Sequence, residues 1–157
     1  MMNKVLCSLL LFLSISCGLQ GRNANYARDS KRIWLDSKEI HHGEYVWKMK
    51  KAGDVISSAE KVSTLGYDTS DWLSAIVPGT VLNSLVYNKE YPEPYYGVNN
   101  KLESGKIPDI SKVGREFYTY WFRTEFDVPE SFAGKTIWLQ PDGVNYRAEI
   151  WAVSYTH

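Results

Sequence analysis

Cysteine is nearly absent from this chain: Cys7 and Cys17 are the two that occur, both close to the N-terminus. The rest of the sequence therefore has no thiol for a disulfide or a thiolate metal site. Net charge is missing as well, because 18 basic side chains balance 18 acidic ones. That balance leaves no electrostatic footprint for nucleic acid or for an anionic membrane surface. The longest apolar run, Val5 to Ile15, falls well short of the roughly 20 residues a bilayer-spanning helix needs. No glycine-rich phosphate loop, nucleophile elbow or zinc-ligand spacing occurs, and no cofactor is expected. His41 and His42 are adjacent, with Glu44 nearby, but neighbours on an extended segment point to opposite faces and do not make a metal site unaided.

What the chain does hold is aromatic residues: 14% of the total, with six Trp and eleven Tyr. That richness suits sheet proteins, and it suits sugar binding, since flat rings pack against the C–H faces of pyranoses. Most of these rings are expected in a core or on strand faces. Lys4 followed by the apolar run Val5–Ile15 has the layout of an export signal, placed at residues 1–21. Cys17, preceded by Leu13-Ser14-Ile15-Ser16, resembles a lipoprotein processing site, although Ser14 stands where a bulky aliphatic residue is usual. Lipidation at Cys17 and ordinary cleavage a few residues later both remain open. The expected location is the periplasm, or the outer membrane or cell surface as a lipoprotein, with the membrane reached only through such an anchor.

Residues 22–32 are polar and without periodicity, an exposed lead-in. Ile33–Asp36 and Glu44–Met49 read as short strands joined by a hairpin at His41-His42-Gly43. Lys50 to Thr69 is mixed, with room for one strand or short helix. Val77-Pro78-Gly79-Thr80 has the residues of a type II turn. Thr80 then stands where it can cap a short helix with Val81, Leu82, Leu85 and Val86 on one face. Lys89 to Gly114 is a long aperiodic stretch, yet Tyr87, Tyr91, Tyr95 and Tyr96 argue against disorder in its first half. Tyr118 to Val128 alternates strictly, as a half-buried antiparallel strand does, and Pro129 ends it. Thr136–Gln140 and Val144–Trp151 read as further strands around a tight Pro141-Asp142-Gly143 turn. Together these short strands predict an all-β fold, an antiparallel sandwich.

Four motifs follow one another in this order: Val77-Pro78-Gly79-Thr80-Val81-Leu82, Pro94-Tyr95-Tyr96-Gly97-Val98-Asn99, Tyr120-Trp121-Phe122-Arg123-Thr124-Glu125-Phe126, and Asp142-Gly143-Val144-Asn145-Tyr146-Arg147-Ala148-Glu149-Ile150-Trp151. In this order they resemble the start of glycoside hydrolase family 2 enzymes, in the β-mannosidase and exo-β-glucosaminidase branch. The resemblance implies an antiparallel jelly-roll β-sandwich of the galactose-binding-like kind over residues 33–151. It also implies that the paired catalytic glutamates lie on a downstream (β/α)₈ barrel, which alone takes about 250 residues. The chain is therefore expected to be an accessory domain that does not hydrolyse by itself, part of an exported exo-acting enzyme cleaving terminal β-mannosyl or β-glucosaminyl residues. The segment 152–157 lacks the Leu-Asn-Gly turn the family would place there. It is expected to be a foreign tail on a truncated jelly roll, with an open sheet edge.

Within the resemblance, an asparagine matching Asn99 lines the pocket for the terminal sugar in family 2 β-galactosidases, on a loop that reaches the barrel mouth. An amide both donates and accepts, which suits a hydroxyl. Closing a turn is the equal alternative for Asn99. Tyr96 and Tyr95 are further candidates for sugar contact, or anchors of the loop. Arg123 with Glu125, and Arg147 with Glu149, read as strand-face ion pairs, and no carboxylate here is placed as catalytic, since glycosidic cleavage needs two facing across the sugar. The expected partners are a carbohydrate and the missing barrel. Two other readings compete: a free-standing carbohydrate-binding module, and a structural lipoprotein domain.

Overall fold

A computed structural model describes residues 3–12, 32–41, 43–114, 116–144 and 147–155. Cys17, most of the lead-in, His42, Asn145, Tyr146 and the last two residues lie outside the described residues. The antiparallel expectation holds: one five-stranded sheet is present among the described residues, in the order β3-β2-β4-β1-β5. Its strands are β1 (Asn3–Phe12), β2 (Lys48–Lys51), β3 (Leu73–Ser74), β4 (Thr119–Val128) and β5 (Arg147–Tyr155). Four short helices accompany them: α1 (Lys38–His41), α2 (Ala59–Val62), α3 (Val81–Tyr87) and α4 (Ile110–Val113).

The alternating run in the sequence is β4, and it forms the spine. It pairs antiparallel with β2 on one side, Met49 opposite Phe122, and with β1 on the other, Leu9 opposite Phe122. β4 is more buried than its alternation predicts: Thr119 to Thr124 are all buried. The reason is cover on both faces. On one face Tyr118, Tyr120 and Phe122 pack with Met49 and Trp47, under Val81 and Leu85 of α3. On the other, Trp121 packs with Val62 at the end of α2 and with Trp72. Only nonlocal packing places α2 there, so the alternation alone could not show it.

α3 forms as its residues predict. Thr80 Oγ1 accepts a hydrogen bond from the Asn83 amide at 3.0 Å, satisfying a donor that the first turn leaves unpaired. Ser84 Oγ accepts from the Ile76 amide at 3.0 Å and ties the helix to the preceding segment. At the far end, the Asn88 side chain donates to Ser74 O and accepts from Ser74 N. It thereby occupies backbone groups of β3, the edge strand, which would otherwise offer themselves to another chain.

Three expectations are corrected. The hairpin between Ile33–Asp36 and Glu44–Met49 does not form. Instead Ser37 and Tyr45 make an isolated parallel bridge, the Ser37 amide donates to Val77 O, and Trp47 Nε1 donates to Leu35 O. The Tyr45 amide donates to Asp36 O and its carbonyl accepts from the Lys38 amide, the pattern of a parallel bridge rather than an antiparallel ladder, and the strand starts at Lys48. A Cβ on Gly43 would lie 2.0 Å from Asp36 O, so the close approach requires glycine. The turn at Pro78 is not type II. The Val77–Pro78 peptide is cis, and Gly79 lacks the positive φ that such a turn needs; a Cβ there would come 2.7 Å from Ile76 O. Finally, Thr136–Gln140 is not a strand. The place beside β5 where it would pair is taken by Asn3–Phe12, ten residues of the expected leader, and β5 itself runs on through Ala152 to Tyr155, into the expected tail.

Candidate functional site

In the loop after α3, Tyr91 packs against the core. Burial, and then the neighbouring Glu90 charge, raise its phenol above the ordinary range. Beyond it, a tight turn brings the Tyr96 amide to Glu93 O at 3.2 Å and the Asn99 amide to Tyr96 O at 3.2 Å. Gly97 takes a positive φ of 58° between them, a conformation in which glycine carries no steric penalty.

Asn99 sits inside this loop, 7% exposed. Its Nδ2 donates to Glu93 O at 2.9 Å, and its Oδ1 accepts from Lys106 Nζ at 2.9 Å. Ser104 Oγ donates to the Asn99 carbonyl. Each end of the amide is therefore engaged within the loop, and the residue pins Glu93 to Lys106. Tyr95 and Tyr96 stand outside it, 80% and 77% exposed, with Val98 and Leu102 also on the surface. The structure thus brings all three candidates onto one loop: two outward rings on a base that Asn99 fastens. Rings so exposed offer flat apolar faces with a hydroxyl at the tip, the combination that sugar rings and apolar protein surfaces both accept. Sequence reading missed Lys106, which lies in an aperiodic stretch with no signal of its own. It also missed Val98 and Leu102, two apolar side chains among polar neighbours.

A concave surface of about 500 Å³ lies elsewhere, over the sheet between Val46, Lys48, the segment Gly66–Ser70 and β4 at Arg123–Glu125. Arg123 is its floor and is 5% exposed. Its Nε donates to Val62 O at 3.0 Å and its Nη2 to Thr64 O at 2.8 Å, while Glu125 completes an ion pair. Glu125 also accepts from the Gly66 amide at 2.8 Å. The Tyr67 ring lies 5.8 Å from the guanidinium. The Arg123–Glu125 pair expected from sequence is therefore present, and it straps the α2 segment onto the sheet. At the rim, the Ser70 amide and then its hydroxyl hold the Asp68 carboxyl below its usual range. Arg147 and Glu149 approach at 3.7 Å on an exposed face, where such a pair contributes little. Cys17, the candidate for lipidation, lies outside the described residues.

With an antiparallel sheet and this loop in place, comparison with known proteins gives the class. Residues 47–154 match the family described as glycosyl hydrolase 2 galactose-binding domain-like, and the chain belongs to it. That membership accords with a jelly-roll β-sandwich of galactose-binding-like type. Among relatives, a mannosylglycoprotein endo-beta-mannosidase of Lilium longiflorum is 41% identical over 83 residues, 53% of this chain and 8% of that protein. An exo-beta-D-glucosaminidase of Streptomyces avermitilis is 28% identical over 106 residues, 67% of this chain and 10% of that protein. A second exo-beta-D-glucosaminidase, from Amycolatopsis orientalis, is 26% identical over 96 residues, 61% of this chain and 8% of that protein. The chain thus spans a tenth or less of the length of these relatives. No solved structure matches. The chain is similar to the N-terminal domain of family 2 glycosidases of the mannosidase and glucosaminidase kind.

Proposed function

We propose that this chain is the accessory domain of an exported family 2 glycosidase that removes terminal β-linked mannosyl or glucosaminyl residues, its paired glutamates being carried on a barrel in the same enzyme. The observation that carries the reading is the Pro92–Asn99 loop: Asn99 fastens the base while Tyr95 and Tyr96 project from it. In this reading the tyrosines face the barrel mouth and the terminal sugar. Asn99 sets their position. Export is supported by Lys4 and the apolar run after it, and a lipid anchor by Cys17. A second reading, endo-acting cleavage at a β-mannosyl linkage, is favoured by the similarity to the mannosylglycoprotein endo-beta-mannosidase of lily.

The test is made in the enzyme expressed from its whole reading frame. Tyr95→Ala and Tyr96→Ala are expected to raise KM for aryl β-mannosides or β-glucosaminides about 2- to 10-fold, the worth of one aromatic contact, with kcat less affected. Unchanged kinetics in both variants would remove the loop from the sugar site. Loss of lipid label in a Cys17→Ser variant tests the anchor, absence of any glycan binding would favour a structural lipoprotein domain, and glycan binding by the chain alone would favour a free-standing binding module.

A further inference from the structure

β4 and β5 do not pair with each other. Phe12 of β1 has Thr119 on one side and Arg147 on the other, and Lys4 has Asp127 and Tyr155. Two strands that are each antiparallel to the same third strand run parallel to one another. β4 and β5 therefore point the same way, one strand's width apart.

The chain leaves β4 at Val128 and enters β5 at Arg147, at opposite ends of the slot between them. It must return along the sheet, and short connections between neighbours are the rule. The shortest return lies through the slot itself, antiparallel to both walls, and that is the direction in which β1 runs. The returning segment has what this place requires. Thr136, Ile137 and Trp138 are strand-forming residues; a turn with Gly134 at φ 69° precedes them, and Pro141-Asp142-Gly143 follows. Yet the segment lies unpaired outside the sheet, with Ile137 49%, Trp138 86% and Leu139 44% exposed. Three successive apolar side chains facing water mark a segment displaced from cover.

We infer that the slot between β4 and β5 has two alternative occupants of the same polarity, Asn3–Phe12 and Thr136–Gln140, and that removing the first admits the second. The N-terminal strand is then an exchangeable plug. While it is in place, the sheet is completed by a strand distant in sequence; once it is gone, three consecutive strands form a meander and Trp138 is covered. The exchange requires only that β1 leave, by whatever route, and does not depend on the glycosidase reading.

The experiment compares the full chain with one lacking residues 1–21, by amide hydrogen exchange and by acrylamide quenching of Trp138 fluorescence, taken as the difference from a Trp138→Phe variant. In the full chain the amides of Thr136–Gln140 exchange freely and Trp138 is readily quenched. In the shortened chain those amides slow by about 100-fold or more, as paired strands do, quenching of Trp138 falls, and Thr119–Val128 stays protected. Full-length Leu9→Pro, which removes a ladder donor from the middle of β1, gives the same shift. Free exchange at Thr136–Gln140 in both altered chains overturns the inference, as does unfolding of both. Protection of Thr136–Gln140 already present in the full chain overturns it too, because β1 would then not hold the slot.

Discussion

Lys106 reaches across its loop to Asn99, Nζ to Oδ1 at 2.9 Å, while the other end of the same amide holds Glu93 O at 2.9 Å. One side chain thus closes the base of the loop that presents Tyr95 and Tyr96. Asn99→Ala removes both links from a buried position and is expected to cost about 1 to 2 kcal/mol locally. The cost is read as faster exchange of the Tyr96 and Asn99 amides, with little change in global unfolding because the loop lies outside the sheet. Asn99→Asp keeps the Lys106 partner but sets a carboxylate against Glu93 O, and should loosen the turn as much as alanine does.

Arg123 is the buried strap of the α2 segment, with Val62 O, Thr64 O and Glu125 as its acceptors. Arg123→Met leaves two carbonyls and a carboxylate without their donor, and is expected to lower stability by about 3 to 5 kcal/mol in urea unfolding. Arg123→Lys recovers only part of this, because an ammonium cannot reproduce the guanidinium fork. Glu125→Gln, at a half-buried site, costs less than either.

Tyr120 gives the chain an alkaline limit. Burial first, then neighbouring Tyr91 and Asp54, push its phenol from 10.0 up to about 12. The folded state therefore holds this proton more tightly than the unfolded one. The contribution is fully present below pH 10 and is lost as pH rises through about 12, amounting to on the order of 2 kcal/mol. Tyr120→Phe should flatten the fall in stability over that window, as followed by denaturant unfolding at stepped pH.

Gly79 is fixed by space. A Cβ there meets Ile76 O at 2.7 Å, a backbone atom that cannot swing aside, whereas a Cβ on Gly53 meets nothing within 4 Å. Gly79→Ala is expected to lower the melting temperature by several degrees, corresponding to about 1 to 3 kcal/mol. Gly53→Ala should leave it within about 0.5 kcal/mol of the parent.

Elements with a strong local signal were the legible ones. β4 followed from its alternation and Pro129, and α3 from Thr80 and the spacing of Val81 and Leu85, because caps and periodicity are written in neighbouring residues. What failed depended on distant partners. Ile33–Asp36 had strand-like residues, but the next residue, Ser37, bonds to Val77 and meets Tyr45 in a parallel bridge, while Leu35 O is held by the Trp47 indole. Thr136–Gln140 had them too, but Asn3–Phe12 holds its place. The loop was legible from its tyrosines. The engagement of Asn99 was not, because Lys106 is brought to it by the fold of the loop alone.

Reading the gene past the codon for Trp151 tests most directly the claim that this domain serves a family 2 glycosidase. The expected result is an open frame running on into a (β/α)₈ barrel that carries paired glutamates. A frame that closes at His157 in the source DNA would contradict it, and would leave glycan binding by the domain alone as its remaining activity.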